Sequence, residues 1–417
     1  MLILTKKGDI IYYIKIIASK KGKFMINGKM AEFGKQRSVI REIFEYGNTL
    51  KAEKGAENVF DFSLGNPSIE PPEAVTKTLL ELIEKESPIS LHGYTSAQGA
   101  PATRKAIADS INRRFSVGIS DDNVYMTCGA AASLTISLNA LCNQGDEVII
   151  LAPYFPEYKV FIEKAGAKVV VVDTEPDTFQ INAQRLKRAL TEKTKAIIIN
   201  SPNNPSGAVL TEESVKSVCE ILSAAQKEHK NPIYILSDEP YRELSYGAKV
   251  PYIMNYYDNT LVCYSFSKSL SLPGERIGYI AVSPKATDAE EVYAAVCGAG
   301  RALGYVCAPG LFQKLIERCC DEVAEVEKYR RNRDLLLDSL KEYGYDLVEP
   351  DGAFYLFVRS PEPDAKAFCE RAKKYNLLLV PSDSFGVEGY LRISYCVDYD
   401  KIERSLPLFK KLIEEYK

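Results

Sequence analysis

The chain runs to 417 residues, 46% hydrophobic and 26% charged, which at roughly 150 residues per domain is room for two to three domains with full cores. Lys and Arg number 53 against 56 Asp and Glu, a net charge of −3, so no broad basic field is offered to nucleic acid. The longest apolar stretch near the start, 10–17, is broken by Lys15 and is far shorter than the roughly 20 residues that cross a bilayer; no small-residue cleavage site follows it, so neither a membrane span nor a secretory signal is expected and the chain reads as cytoplasmic.

Residues 1–30 are rich in Lys and Gly and contain Met25 and Met30, two further candidate starts. They read as an N-terminal extension without an assigned function. A helical pattern follows over Val39–Tyr46, then a strand-like run over Asn58–Leu64 that stops at the turn Gly65-Asn66-Pro67. From there, short β-branched runs alternate with helical patterns. Strands are predicted over Glu147–Leu151, Lys168–Val172, Lys195–Ile199, Pro232–Leu236 and Thr260–Tyr264, and helices over Ala130–Leu141, Phe155–Ala165, Thr211–Lys227 and Phe312–Tyr343. That alternation predicts an α/β fold with a mostly parallel sheet covered on both faces. Beyond it the strands crowd together, at Tyr345–Val348, Phe354–Arg359, Leu377–Val380 and Tyr390–Tyr395, with helices at Asp364–Lys374 and Tyr399–Glu415. The expected organisation is an extension (1–30), a first segment of a small α+β domain (31–70), a large domain (71–325) and the rest of the small domain (326–417).

Ten cysteines are scattered with no CxxC spacing, and only Cys319 and Cys320 are adjacent. Free, mostly buried thiols are predicted rather than a disulfide framework. Two histidines, His92 and His229, are too few for a His-rich metal site or a His-based triad. No metal is expected, and the chemistry must be borrowed from an organic cofactor.

The informative residues follow predicted strands, where open α/β sheets place their ligands. Asn204 comes after one such strand, Asp238 and Tyr241 after the next, and Ser265 and Lys268 after a third. An amide, a carboxylate with a phenol, and a lysine are the groups that hold pyridoxal 5'-phosphate. The lysine amine condenses with its aldehyde, the carboxylate keeps the pyridine nitrogen protonated, and the amide and phenol share the ring oxygen. Gly129, Ala130 and Ala131 open a helical pattern whose N-terminal N–H groups suit a phosphate, with Ser265 and Arg276 able to add a hydroxyl and a guanidinium. Taken singly, each has a plainer reading: a solvated lysine at a loop end, a helix cap, a turn, a surface ion pair. Their coincidence at three strand ends favours the cofactor site.

The ordered set Gly65-Asn66-Pro67, Tyr94 with Gly99, Gly129–Ala131, Pro153-Tyr154-Phe155-Pro156, Asn204-Pro205-Ser206-Gly207, Asp238-Glu239-Pro240-Tyr241, Ser265-Phe266-Ser267-Lys268 with Arg276, and Arg392 resembles the class I and II aminotransferases over about residues 35–417. The resemblance implies fold type I, a homodimer with shared active sites, and transfer of an amino group between an L-amino acid, aspartate or an aromatic one among them, and a 2-oxo acid. It further implies that Lys268 is catalytic, that Phe155 stacks on the cofactor ring, that Gly65, Asn204 and Arg392 receive the substrate carboxylate, and that Tyr94 reaches the phosphate of a neighbouring subunit. A β-lyase acting on C–S bonds on the same scaffold is the alternative. Two departures stand out. Ala131 occupies a position where relatives specific for aspartate often carry lysine, and Ser382 one where glycine is usual, which predicts an altered loop over the substrate. Arg301 falls near a position that reads dicarboxylates, and an ion-pair role there is as good a reading. Cys128 beside the phosphate loop reads as packing rather than as a nucleophile.

Overall fold

The structure is a computed structural model that describes residues 26–35 and 38–417. The apolar stretch 10–17 and Met25 lie outside the described residues, and Met30 falls in a helix over Gly28–Lys35. The chain divides into two compact units, Met1–Ser38 and Val39–Lys417, and every strand among the described residues belongs to the second.

After a short strand β1 (Phe60–Asp61), seven strands build the central sheet: β2 (Val124–Thr127), β3 (Glu147–Ala152), β4 (Lys168–Asp173), β5 (Thr194–Asn200), β6 (Tyr234–Asp238), β7 (Thr260–Ser265) and β8 (Gly278–Val282). Their order is β2-β8-β7-β6-β5-β3-β4, with β8 alone running against its two neighbours. The sequence shows why. β6, β7 and β8 are buried at every position, and β5 carries the apolar run Ala196–Ile199, as strands covered on both faces must. Edge strand β4 instead exposes Lys168 and Asp173, which discourages pairing with another chain. All five central strands expected from the sequence are present, each ending within two residues of the predicted end.

Four of the remaining strands, β9 (Leu347–Val348), β10 (Tyr355–Arg359), β12 (Val380–Pro381) and β13 (Tyr390–Ser394), form an antiparallel sheet in the order β12-β13-β10-β9. A fifth, β11 (Leu377–Leu378), pairs in parallel with β1. Helices over Val326–Tyr343 and Tyr399–Glu414 supply Leu336, Leu340, Ile402 and Phe409 to the core beneath it.

Some elements differ from expectation. The helix expected over Val39–Tyr46 continues to Lys54, since Lys51 and Lys54 sit well in its last turn. The long stretch 312–343 is two helices, Gly310–Cys319 and Val326–Tyr343, separated by the charged residues Asp321, Glu322 and Glu325. Strands β2 and β8 and the helices Glu73–Lys85, Pro101–Phe115 and Ala289–Leu303 were not anticipated. All ten cysteines are free, five buried and five partly buried. Among the described residues no helix is long and apolar enough to cross a membrane.

Candidate active site

Register brings the strand ends together. Asn200 at the end of β5 lies opposite Asp238 at the end of β6, and Asp238 opposite Cys263 on β7. The loops that leave these ends reach a cavity of about 300 Å³ lined by Phe155, Asn204, Tyr241, Lys268, Tyr355 and Arg392, with Gly65, Ala130, Ala131, Ser265 and Arg276 around it.

Lys268 sits on a single helical turn, Phe266–Ser269, whose cap is Ser265: the Ser265 hydroxyl accepts the Ser267 N–H at 3.2 Å and lies 2.7 Å from the Ser267 hydroxyl. The Nζ donates to the Gly65 carbonyl at 2.5 Å and lies over the Phe354 ring. Burial pulls the amine down to about 8, and the guanidinium groups of Arg276 and Arg392 push the same way. A poised, partly neutral amine results.

Asp238 is buried. Its Oδ2 accepts the hydroxyl of Tyr158, while its Oδ1 has no hydrogen-bond partner among the described residues. Burial raises this carboxyl to about 7, against the lowering effect of the Tyr158 hydrogen bond. A buried acceptor without a donor is costly, and the N–H of a protonated ring nitrogen is the kind of group that satisfies it. Asn200 joins two of the loops. Its Nδ2 donates to the Asp238 carbonyl at 3.0 Å and its Oδ1 accepts the Asn204 N–H at 2.8 Å.

At the other end of the cavity, Gly129 precedes the helix Ala130–Leu141 with φ +86°. A side chain there would be strained and would push within 2.9 Å of the Arg276 guanidinium. Arg276 donates to the carbonyls of Pro273 and Cys128. The first N–H groups of the helix and this guanidinium form a cradle for an anion. Cys128 contributes only its carbonyl, and burial pushes its thiol up, as suits packing.

Arg392 lies in the middle of β13, 2% exposed. One Nη donates to Asn204 Oδ1 at 2.9 Å and the other to the Ser63 carbonyl, while Nε has no partner among the described residues. The guanidinium stacks over Tyr355 and Phe385 at 4.6 and 5.1 Å. A buried cation held by neutral groups alone awaits an anion.

Of the residues expected from the sequence, Gly65, Ala130, Ala131, Phe155, Asn204, Tyr241, Ser265, Lys268, Arg276 and Arg392 line the cavity, while Asp238 is tied to Asn204 through Asn200 and Gly129 stands against Arg276, neither of them in the lining. Tyr94 is 99% exposed and is not among the residues lining the cavity. Arg301 is exposed in the last turn of its helix and also lies outside the lining. Ser382 is buried, and its hydroxyl accepts the Tyr390 N–H at 3.0 Å, securing the start of β13. Sequence reasoning missed Tyr355, whose hydroxyl lies 2.9 Å from that of Tyr241, as well as Tyr158, Asn200, Ser267 and Ile40. The one signal for Tyr158 was its i+3 spacing from Phe155 at a helix start.

Comparison with known proteins agrees with this geometry. The family model for aminotransferase class I and II matches residues 57–406. The chain is 32% identical to an aspartate aminotransferase of Thermotoga maritima, covering 85% of this chain and 91% of that one. It is 30% identical to an aromatic-amino-acid aminotransferase of Thermococcus litoralis, over 91% and 96% of the two chains. A crystal structure of an amino transferase from Eubacterium rectale superposes with a TM-score of 0.92 at 52% identity, covering 94% of this chain and all of that one. These relatives bear names of transaminases, which favours amino transfer over the β-lyase reaction.

Proposed function

The chain belongs to the class I and II aminotransferases, and from that premise we propose that it moves the amino group of an L-amino acid to a 2-oxo acid on pyridoxal 5'-phosphate held at the strand ends of the central sheet. The observation that carries this reading is the placement of one amine, Lys268, in the same cavity as one buried guanidinium, Arg392. An α-amino acid offers the complementary pair of groups.

The residues present fit the cofactor. The bare Oδ1 of Asp238 would receive its ring N–H, Asn204 and Tyr241 its ring oxygen, Phe155 one ring face, and the cradle of Gly129, Ala130, Ala131, Ser265 and Arg276 its phosphate. When bound, this cofactor supplies an electron sink for the bond that loses its proton at the α-carbon. Lys268 would hold it, and the freed amine, drawn down toward neutrality by burial, would take the proton from the substrate α-carbon and deliver it to the cofactor carbon that receives the amino group. Arg392 orients the substrate through its carboxylate. The Tyr241 hydroxyl stays protonated, because burial raises it well above the ordinary tyrosine value.

A large cofactor-binding part over 71–325 and a small part from 31–70 and 326–417 belong to the same proposal; the pairing of β1 with β11 supports it for the portion of 31–70 that lies in the second unit. So does a homodimer with shared active sites: Leu80, Ile83, Ile89 and Tyr94 are all exposed, an apolar set that suits a subunit contact reaching a neighbour's phosphate. Ten unpaired cysteines suit the reducing cytoplasm.

An absorbance spectrum of the purified protein, before and after single amino acids without acceptor, tests the reading. The expected result is a cofactor band near the visible edge that one class of amino acid bleaches to a shorter-wavelength band, with release of the 2-oxo acid. Absence of any band after added pyridoxal 5'-phosphate would sink it.

A further inference from the structure

The carboxylate of Asp238 is bonded on one side only. Tyr158, on the helix Glu157–Lys164, donates its hydroxyl to Oδ2; Asn200 Nδ2 stands 3.5 Å from the same oxygen, and Oδ1 is bare among the described residues. Tyr158 is 2% exposed and is fixed by the edge-on packing of its ring against Phe155, centroids 5.7 Å apart at 83°. Its hydroxyl is a permanent donor, since burial and the neighbouring carboxylate both hold the phenol well above its ordinary value. The other groups that face Asp238 do not supply this. Glu239 is committed to Arg242 and Ser237, and its charge raises the Asp238 carboxyl. The Tyr241 hydroxyl meets Tyr355. Cys263 on β7 is a buried thiol pushed up by burial, 3.6 Å from the Ser137 hydroxyl.

A carboxylate with one oxygen occupied and the other free is a directional acceptor. We infer that Tyr158 is the positioning residue that orients Asp238 and keeps it ionised, so that its bare oxygen is presented to the protonated ring nitrogen of the cofactor; this rests on the cofactor reading above. Remove the hydroxyl and burial acts on Asp238 unopposed, which drives it toward the neutral acid.

The test uses apoprotein and pyridoxamine 5'-phosphate, which keeps the ring nitrogen and phosphate but cannot condense with Lys268. Calorimetric Kd values from pH 5.5 to 9.5 are compared for the natural chain and Tyr158→Phe. A hydrogen bond to a charged group, converted at 1.36 kcal/mol per unit, predicts that the acid limb of the Tyr158→Phe profile moves up by roughly one to two pH units. Affinity is then reduced about tenfold or more at pH 7 and restored at high pH. In an Asp238→Ala background the second substitution is expected to change nothing. Tyr158→His, which retains a ring donor, is expected to recover part of the shift and serves if the Phe variant does not fold. Superimposable profiles, or a loss equal at every pH, would overturn the inference and leave the cofactor reading standing. If the natural chain fails to bind the probe at all, the cofactor reading falls and takes the inference with it.

Discussion

On the side of the central sheet, Asp238 ends one strand and Asn204 and Lys268 follow its two neighbours, three adjacent parallel strands locked in register, Asn200 to Asp238 to Cys263. On the side of the small sheet, Arg392 and Tyr355 project from antiparallel strands β13 and β10, paired so that Tyr355 faces Ser394 and Phe357 faces Arg392. They reach the cavity by way of side-chain bonds to Ser63, Asn204 and Tyr241. The first wall is positioned by main-chain ladders within one stretch of chain, 194–268. The second draws on residues near 63, 355 and 392, and its geometry depends on the side-chain hydrogen bonds that join those segments. The difference teaches a division of labour under the proposed function: the ladder-built wall would hold the cofactor and the composite wall would read the amino acid.

That division can be broken most sharply at Lys268, whose amine bonds the Gly65 carbonyl beside the second wall while its helical turn leaves β7 of the first. Lys268→Ala is expected to reduce steady-state transamination by at least about 10⁴-fold, measured with any accepted donor and acceptor, because the nucleophile and the proton carrier are lost at once. Unimpaired multiple turnovers in that variant would refute the assignment. Next in size is Arg392→Lys. Loss of the planar fork is expected to raise the KM for the amino donor roughly 10- to 100-fold, while the bound-cofactor spectrum remains that of the natural chain. A spectrum lost along with affinity would show that the two walls are not separable. The smallest effect sharpens the comparison by titration. Only the neutral amine of Lys268 condenses with an aldehyde, and burial sets that group at about 8. Stopped-flow loading of apoprotein with pyridoxal 5'-phosphate is therefore expected to quicken about tenfold per unit below pH 8 and to level off above it. A rate flat from pH 6 to 9 would contradict the burial argument.

Legibility in the sequence follows the same division. β3, β5, β6 and β7 announce themselves as unbroken apolar runs, and Asn204, Asp238 and Lys268 could be picked out because each follows such a run within a few residues. Arg392 was legible for the opposite reason, a charge inside a buried strand. Tyr355 was not, since a tyrosine in an aromatic strand is ordinary core until its partner, 114 residues away, is known. Tyr158 and Asn200 were hidden likewise: they touch Asp238, and nothing along the chain states that contact. Strand β2 at Val124–Thr127 is only four residues long, and its pairing with β8 spans more than 150 positions, a separation that local periodicity does not report.

The cavity's two central cations hang from one short length of main chain. Arg392 donates to the carbonyl of Ser63 and Lys268 to that of Gly65, and a methyl group at Gly65 would come within 2.0 Å of the Tyr355 hydroxyl. The peptide units of 63–65 thus set the spacing, like a ruler, between the group proposed to meet the amine and the group proposed to meet the carboxylate. A ruler made of backbone cannot be recalibrated by exchanging side chains. Libraries that aim to move this scaffold from α-amino acids to substrates with a longer amine-to-carboxylate span should therefore vary the length of that segment, and reserve side-chain diversity for the part of the substrate beyond the α-carbon.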